Sequence, residues 1–246
     1  MLRLIWLAIV AVLVTIPCAT ATLVIAAVQS TSPLIEPVIR LWARAIVAAA
    51  GIRLRTENLG VIAPDQRYIL VANHHSYLDI PCVLAAVKQP IRFMAKISLF
   101  KIPIFGWALG RAGFIPIDRK NRRTAVKSFD LAAERIRKGN TIVIFPEEGR
   151  SREREMRPFQ RGAFLLALKA GQPIVPIAID GTYDVFPAGR WTVTPGVVTV
   201  RGGTPIPTAG LVVSAKQRLA EESRAQIEAM LTPPPAPAGA APASRS

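Results

Sequence analysis

Residues 68–79 read Tyr-Ile-Leu-Val-Ala-Asn-His-His-Ser-Tyr-Leu-Asp. The first five are apolar and rich in branched side chains, the composition of a short strand. The run breaks at Asn73. Ser76-x-x-Asp79 then carries the signature of a helix start, a hydroxyl at the cap and a carboxylate three residues on. A strand that turns into a helix across a few polar residues is the first half of a β-α unit.

The same grammar repeats outward along the chain. Strands are predicted at 51–56, 68–72, 91–95, 113–117, 141–145, 174–179 and 197–201, and helices at 78–87, 122–138, 161–170 and 214–231. This alternation predicts an α/β fold over residues 51–231: a layered domain with a mixed, largely parallel central sheet flanked by helices. Short strand-to-helix connections place functional residues at the C-terminal ends of the strands. Residues 100–112, rich in Gly and Pro, read as an irregular surface element. Pro176, inside the apolar run 174–179, points to an edge strand or a bulge. Residues 232–246 hold five Pro and five Ala and read as a disordered tail without chemistry.

Residues 1–50 form a membrane-associated helical segment that precedes this domain. No charged residue occurs between Leu4 and Gln29, and about 20 apolar residues suffice to cross a bilayer. A single span kinked at Pro17, a hairpin breaking there and a cleaved leader are the readings of this run. The last fits poorly, because the apolar stretch continues past any cut near Ala19 or Ala21. Arg40, Arg44, Arg53 and Arg55 follow the run, against Arg3 before it, which places the following chain on the cytoplasmic side of the inner membrane. Residues 34–51 read as a helix with Val38, Trp42, Ala45 and Ala49 on one face. It is either interfacial, with Arg40 and Arg44 reaching toward headgroups, or core-packed.

The chain has 246 residues with 31 Lys or Arg against 16 Asp or Glu, a net charge of +15, and is 51% hydrophobic. Such apolar content excludes wholesale disorder. The pairing of grease and positive charge suits a nucleic-acid binder or a protein on an anionic membrane. Residues 91–170 hold 18 of the basic and 7 of the acidic residues, concentrated at 118–123 and 150–157. Aromatic residues, 7% of the chain, do not interleave with them, so no nucleic-acid partner is expected. Cys18 and Cys82 both lie in apolar surroundings, and the two histidines are adjacent. No metal-ligand spacing follows, and no metal is expected.

Three polar segments at strand ends carry candidate chemistry. His74 and Asp79 are spaced so that the carboxylate can accept from imidazole Nδ1 and leave Nε2 as a base for a substrate hydroxyl. Asp79 is equally suited to be only a capping carboxylate, and His75 is the competing base. Arg119, after 113–117, offers a fork of donors for phosphate. Glu147 follows the Phe145-Pro146 turn, with Arg150 as a second anion ligand.

Taken together, Asn73-His74-His75-Ser76-Tyr77-Leu78-Asp79, Gly113 to Arg119, Phe145-Pro146-Glu147-Glu148-Gly149-Arg150-Ser151 and Val175-Pro176-Ile177 resemble, in order, the four blocks of the glycerolipid acyltransferase family. The resemblance is strongest to 1-acyl-sn-glycerol-3-phosphate acyltransferases. It implies that His74 is the general base and Asp79 its orienting partner. It implies that Arg119, Glu147, Gly149, Arg150 and Ser151 bind the glycerol phosphate, and that Pro176 shapes the acyl site. The implied reaction moves an acyl group from acyl-CoA or acyl-acyl carrier protein, as co-substrate, to lysophosphatidic acid, with no bound cofactor. The implied partners are the membrane lipid surface, the donor and the lysophospholipid substrate. Glu148-Gly149 stands where the family has Gly-Thr. An extra carboxylate there would weaken a phosphate pocket unless it points away, which keeps another acceptor, such as a lyso-ornithine lipid, in view. The alternative from a different class is a membrane-anchored, non-catalytic module that binds lipid or carrier protein.

Overall fold

Period-two alternation sorts the strand side chains between two helical layers. In β2 (Ile69–Ala72) all four residues are buried. Leu70 and Ala72 join one core cluster, and Ile69 and Val71 the other. β3 (Ile91–Lys96), β5 (Thr141–Ile144) and β6 (Ile174–Asp180) divide in the same way. Two-sided burial explains why these segments read as continuous apolar runs. The computed structural model describes residues 1–118, 122–137 and 139–231; the expected tail and Arg119 lie outside the described residues.

With β1 (Ile52–Glu57), β4 (Ile115–Ile117) and β7 (Gly196–Gly202), the seven strands form one sheet in the order β1-β7-β6-β2-β5-β3-β4. Every pairing is parallel except β6 with β7. Each strand falls within two residues of its expected bounds. β2 sits between β5 and β6, so the peptides that leave the C-terminal ends of β2 and β5 emerge side by side. The first core cluster lies under α1 (Leu2–Val28), α2 (Ile35–Ala49) and α3 (Asp79–Ala86). The second lies under α5 (Arg122–Arg137), α6 (Leu165–Ala170) and α8 (Lys216–Met230). A single-turn α7 (Thr182–Val185) follows β6.

Residues 100–112 are more regular than the sequence suggested. A 3₁₀ turn at Ile97–Lys101 leads into α4 (Phe105–Arg111). Gly106 makes the fold-back possible, since a Cβ there would lie 2.4 Å from the Phe100 carbonyl oxygen. Gly and Pro break the local signal here, yet they serve a helix packed on its own approach.

Pro176 also sits differently from the edge position. β6 lies inside the sheet, paired with β2 through Val71↔Pro176 and with β7 through Ile177↔Gly202. The Pro176 carbonyl accepts the Gly203 N–H at 2.8 Å, so the proline's other edge atom faces the end of β7. Antiparallel pairing resumes only at the Ile174↔Ile206 bridge. The missing donor therefore falls in a gap of the ladder, which is how a central strand tolerates proline.

The first fifty residues share the core of the domain. α1 is one continuous helix through Pro17, not a hairpin. Leu7 and Ala26 of α1 join the first core cluster with Ile35, Ile39, Ala43, Ile46 and Val47 of α2. The buried face of α2 is thus this set. Arg40 does not reach outward: its Nη1 donates to the Val87 carbonyl at 2.9 Å and its Nη2 to that of Lys88, at the end of α3. A cation at a helix C-terminus complements the helix dipole. Glu36 bridges Arg40 at 3.1 Å and the buried strand residue Arg92 at 2.8 Å, which fixes α2 to the sheet. The opposite face of α1 remains exposed, with Ile5, Trp6, Ile9, Val12, Leu13 and Ile16 on it. By length and composition α1 suffices to cross a membrane.

Candidate active site

β2 ends at Ala72, and the chain makes a turn before α3 begins at Asp79. Asp79 is fully buried, and its Oδ2 accepts three N–H bonds. They come from His74 Nδ1 at 2.7 Å and from the backbone of His75 and Ser76 at 2.8 Å each. The oxygen that ties down the turn before the helix and the partner of the imidazole are therefore the same. Ser76 Oγ accepts the Leu78 N–H at 3.1 Å in the turn ahead of the helix, whose cap position is Leu78 rather than the expected Ser76. With Nδ1 donating to Asp79, His74 keeps a lone pair on Nε2.

His75 is oriented otherwise. Its side chain is buried, its Nδ1 lies 3.1 Å from the Asn73 amide nitrogen, and burial lowers its pKa. Asn73 itself extends the β2–β6 ladder by one rung: its Oδ1 accepts the Ile179 N–H at 2.7 Å and its Nδ2 donates to the Ile179 carbonyl at 2.9 Å.

The neighbouring β5 delivers Phe145-Pro146-Glu147 to the same place. Glu147 is buried, and both of its oxygens hold main chain. Oε1 accepts the His74 N–H at 2.7 Å, and Oε2 accepts the Arg157 N–H at 2.8 Å. Burial pushes the Glu147 carboxyl up to about 7, against the pull of those two donors. The Ser151 N–H returns a bond to the His74 carbonyl at 2.8 Å. Ser151 Oγ donates to the Glu155 carbonyl at 2.8 Å, closing its own turn. The two loops are thus stitched through the backbone of His74.

His74 lines neither of two nearby cavities itself and is connected to them through its neighbours. Its ring stacks on Phe145 with centroids 4.1 Å apart, and Phe145 stacks on Phe93 at 5.5 Å. Phe93 lines an apolar cavity of about 150 Å³, walled by Thr15, Cys18 and Ala19 of α1, Trp42 of α2 and Ala108 of α4. Three residues after His74, Tyr77 lies beneath the Arg150 guanidinium, 3.3 Å from its ring centroid. Tyr77 lines both the apolar cavity and a second cleft of about 400 Å³. Arg150, Arg152, Arg157 and Arg190 line that cleft together with Trp191. No carboxylate is among its lining residues. Glu148 is exposed and outside it, with a left-handed φ of 56°.

Of the residues singled out from sequence, His74, Asp79, Glu147 and Ser151 form one hydrogen-bonded unit, and Gly149 and Arg150 line the adjoining cleft. Pro176 lies buried in β6, outside the residues that line the apolar cavity. Arg119 lies outside the described residues. Sequence reasoning passed over Tyr77, Phe145 and Arg157. Tyr77 and Phe145 sit inside the quoted blocks, but their roles depend on which rings and loops they meet. Arg157 was legible only as one member of a basic run.

The comparisons with known proteins place the chain in a family. The family profile described as Acyltransferase matches residues 53–180, about half of the chain. The chain is 38% identical over 125 residues to the chloroplastic 1-acyl-sn-glycerol-3-phosphate acyltransferase BAT2 of Brassica napus, covering 51% of this chain and 36% of that protein. It is 33% identical over 188 residues to 1-acyl-sn-glycerol-3-phosphate acyltransferase alpha of Homo sapiens, covering 76% and 66% of the two chains. The chain spans about two fifths of the length of the first curated relatives it matches. The crystal structure of the 1-acyl-sn-glycerophosphate (LPA) acyltransferase PlsC from Thermotoga maritima superposes with a TM-score of 0.77 at 25% identity, covering 94% of this chain and 97% of that one. All four sequence blocks lie within the residues 53–180 that the family profile matches, and the chain belongs to the acyltransferase family.

Proposed function

We propose that this protein transfers an acyl group from a thioester donor, acyl-CoA or acyl-acyl carrier protein, to the free hydroxyl of lysophosphatidic acid, yielding phosphatidic acid. The observation that carries the reading is the 2.7 Å contact between His74 Nδ1 and Asp79 Oδ2, close in the chain to Tyr77, which lines both the apolar cavity and the arginine cleft. His74 Nε2 takes the proton of the acceptor hydroxyl, whose oxygen attacks the thioester carbonyl. The tetrahedral oxyanion collapses, the C–S bond breaks, and the imidazolium returns its proton to the departing thiolate sulfur, which leaves as the thiol and restores the base. Asp79 holds the tautomer and stabilises the imidazolium. The fatty chain enters the apolar cavity, and the phosphate faces Arg150. Glu147 acts as a positioning residue through its bond to the His74 backbone. Arg119, two residues past β4, is a further phosphate ligand on the family pattern.

The protein works at the membrane from which its lipid substrate comes. The exposed apolar face of α1 enters the bilayer, and the excess of arginine after it favours the cytoplasmic face of the inner membrane. α1 contributes Thr15, Cys18, Ala19 and Thr22 to the cavity wall, so its immersion brings the cavity to the lipid phase. Glu148 is exposed and is not among the residues that line the arginine cleft, which supports lysophosphatidate over a lyso-ornithine acceptor. The test supplies purified protein with labelled acyl-CoA and acyl-acyl carrier protein in separate reactions, against lysophosphatidate, lyso-ornithine lipid and monoacylglycerol. Phosphatidate as the main labelled product is the expected result; label only on another acceptor would replace the reading.

A further inference from the structure

We infer that Arg157 is a specificity-determining residue for the acceptor phosphate, and that Gly149 is the residue that admits it. This rests on the acyl-transfer reading above and deepens it.

Glycine at 149 is not demanded by the backbone. The left-handed position of this turn is Glu148, and Gly149 is absent from the residues of positive φ. What Gly149 supplies is space: a Cβ there would lie 2.7 Å from Arg157 Nη1. The atom it would meet is the far end of a flexible side chain. A larger residue at 149 therefore moves the Arg157 guanidinium and leaves the fold in place. The departure from Gly-Thr at positions 148–149 is thus an exchange. A strained Glu148 turns outward, and the room freed at 149 is taken by a guanidinium.

That guanidinium is anchored to the catalytic loop. The Arg157 N–H binds the same Glu147 carboxylate that binds the His74 N–H. Its side chain lines the arginine cleft with Arg150, Arg152 and Arg190. None of these four makes a direct ion pair among the described residues, although the Arg157 charge also acts on the buried Glu147 carboxylate. Several guanidiniums gathered in one cleft repel one another, and a bound dianion relieves that repulsion. A phosphomonoester presents enough oxygens to accept from two forks at once. A diester or zwitterionic headgroup gains less, having fewer free oxygens and less charge.

The experiment compares wild type with Arg157→Ala, Gly149→Ala and the double variant. One readout is the ratio of kcat/KM for lysophosphatidate to that for monoacylglycerol, which offers a hydroxyl without phosphate. The other is binding of a lysophosphatidate analogue that lacks the reactive hydroxyl, measured in detergent micelles without any donor. Charge-assisted hydrogen bonds contribute enough to predict roughly a tenfold fall in both for Arg157→Ala, carried by KM more than kcat. Gly149→Ala should reproduce the fall, and the double variant should fall no further than Arg157→Ala alone. Unchanged ratio and binding in Arg157→Ala, or additive losses in the double variant, would overturn the inference while acyl transfer by the wild type stands. A wild type that acylates monoacylglycerol but neither binds the analogue nor acylates lysophosphatidate would overturn both the acceptor and the inference.

Discussion

The Glu147 carboxylate holds the backbone N–H of His74 at 2.7 Å, although the two residues are 73 positions apart. The contact exists because β5 lies beside β2 and both strands end at the same edge of the sheet. The loop that carries His74 is therefore fixed twice. Asp79 holds the imidazole from within the loop, and Glu147 holds the main chain from the adjacent strand.

Replacing His74 with Ala should lower initial acyl-transfer rates by about 10²–10⁴-fold, the usual contribution of a general base. Asp79 Oδ2 would retain its two backbone donors, so the thermal midpoint should stay near that of wild type. Rate assays paired with thermal melts check this, and near-wild-type transfer by the variant would dismiss His74 as the base.

Asp79→Asn should cost both rate and stability. The amide can accept the loop N–H groups through its oxygen, but it loses the charge that favours the helix start and the imidazolium. A midpoint well below that of His74→Ala is expected, and differential scanning of the two variants side by side measures it.

Glu147 gives a pH signature with a defined sign. Its carboxyl titrates at about 7 in the fold, against an ordinary value of 4.5. Between those values the folded state binds more proton than the unfolded state, so this group's contribution to stability declines as pH rises from about 4.5 to 7 and is level above. Denaturant titrations across that window should show the slope in wild type and lose it in Glu147→Gln. Equal slopes in the two proteins would count against the assignment.

The cavity makes a prediction about chain length. Ala108→Leu places a larger side chain on a wall of the apolar cavity, at a packing cost of at most about 1–3 kcal/mol. Supplied with donors of mixed length, the variant should shift its products toward shorter chains, read by mass spectrometry. An unchanged product distribution would place the acyl chain elsewhere.

Gly181 tests the sheet itself. It follows β6 with a φ of 97°, and a Cβ there would lie 2.3 Å from the Val197 carbonyl oxygen of β7. Gly181→Ala combines a disfavoured conformation with a backbone clash and should cost at least about 2 kcal/mol of stability, measured from the denaturation midpoint.

Much of this was legible in the sequence, and the reason is locality. All seven strands were marked by short apolar runs between turn residues. The long apolar helix was marked by its uncharged length. The His74–Asp79 pair spans one turn between a strand end and a helix start, so its spacing alone constrained its geometry. Strand order is a different kind of information. It depends on how the helices pack over both faces of the sheet, and no local pattern records it. Only the tertiary structure decided that Glu147 meets His74, that Pro176 faces a gap inside the sheet, and that Arg40 turns inward to the end of α3. The same holds for α1 walling the cavity and for Gly149 making room for Arg157. Each of these is a contact between segments far apart in the chain, set by the packing of whole elements rather than by the residues on either side.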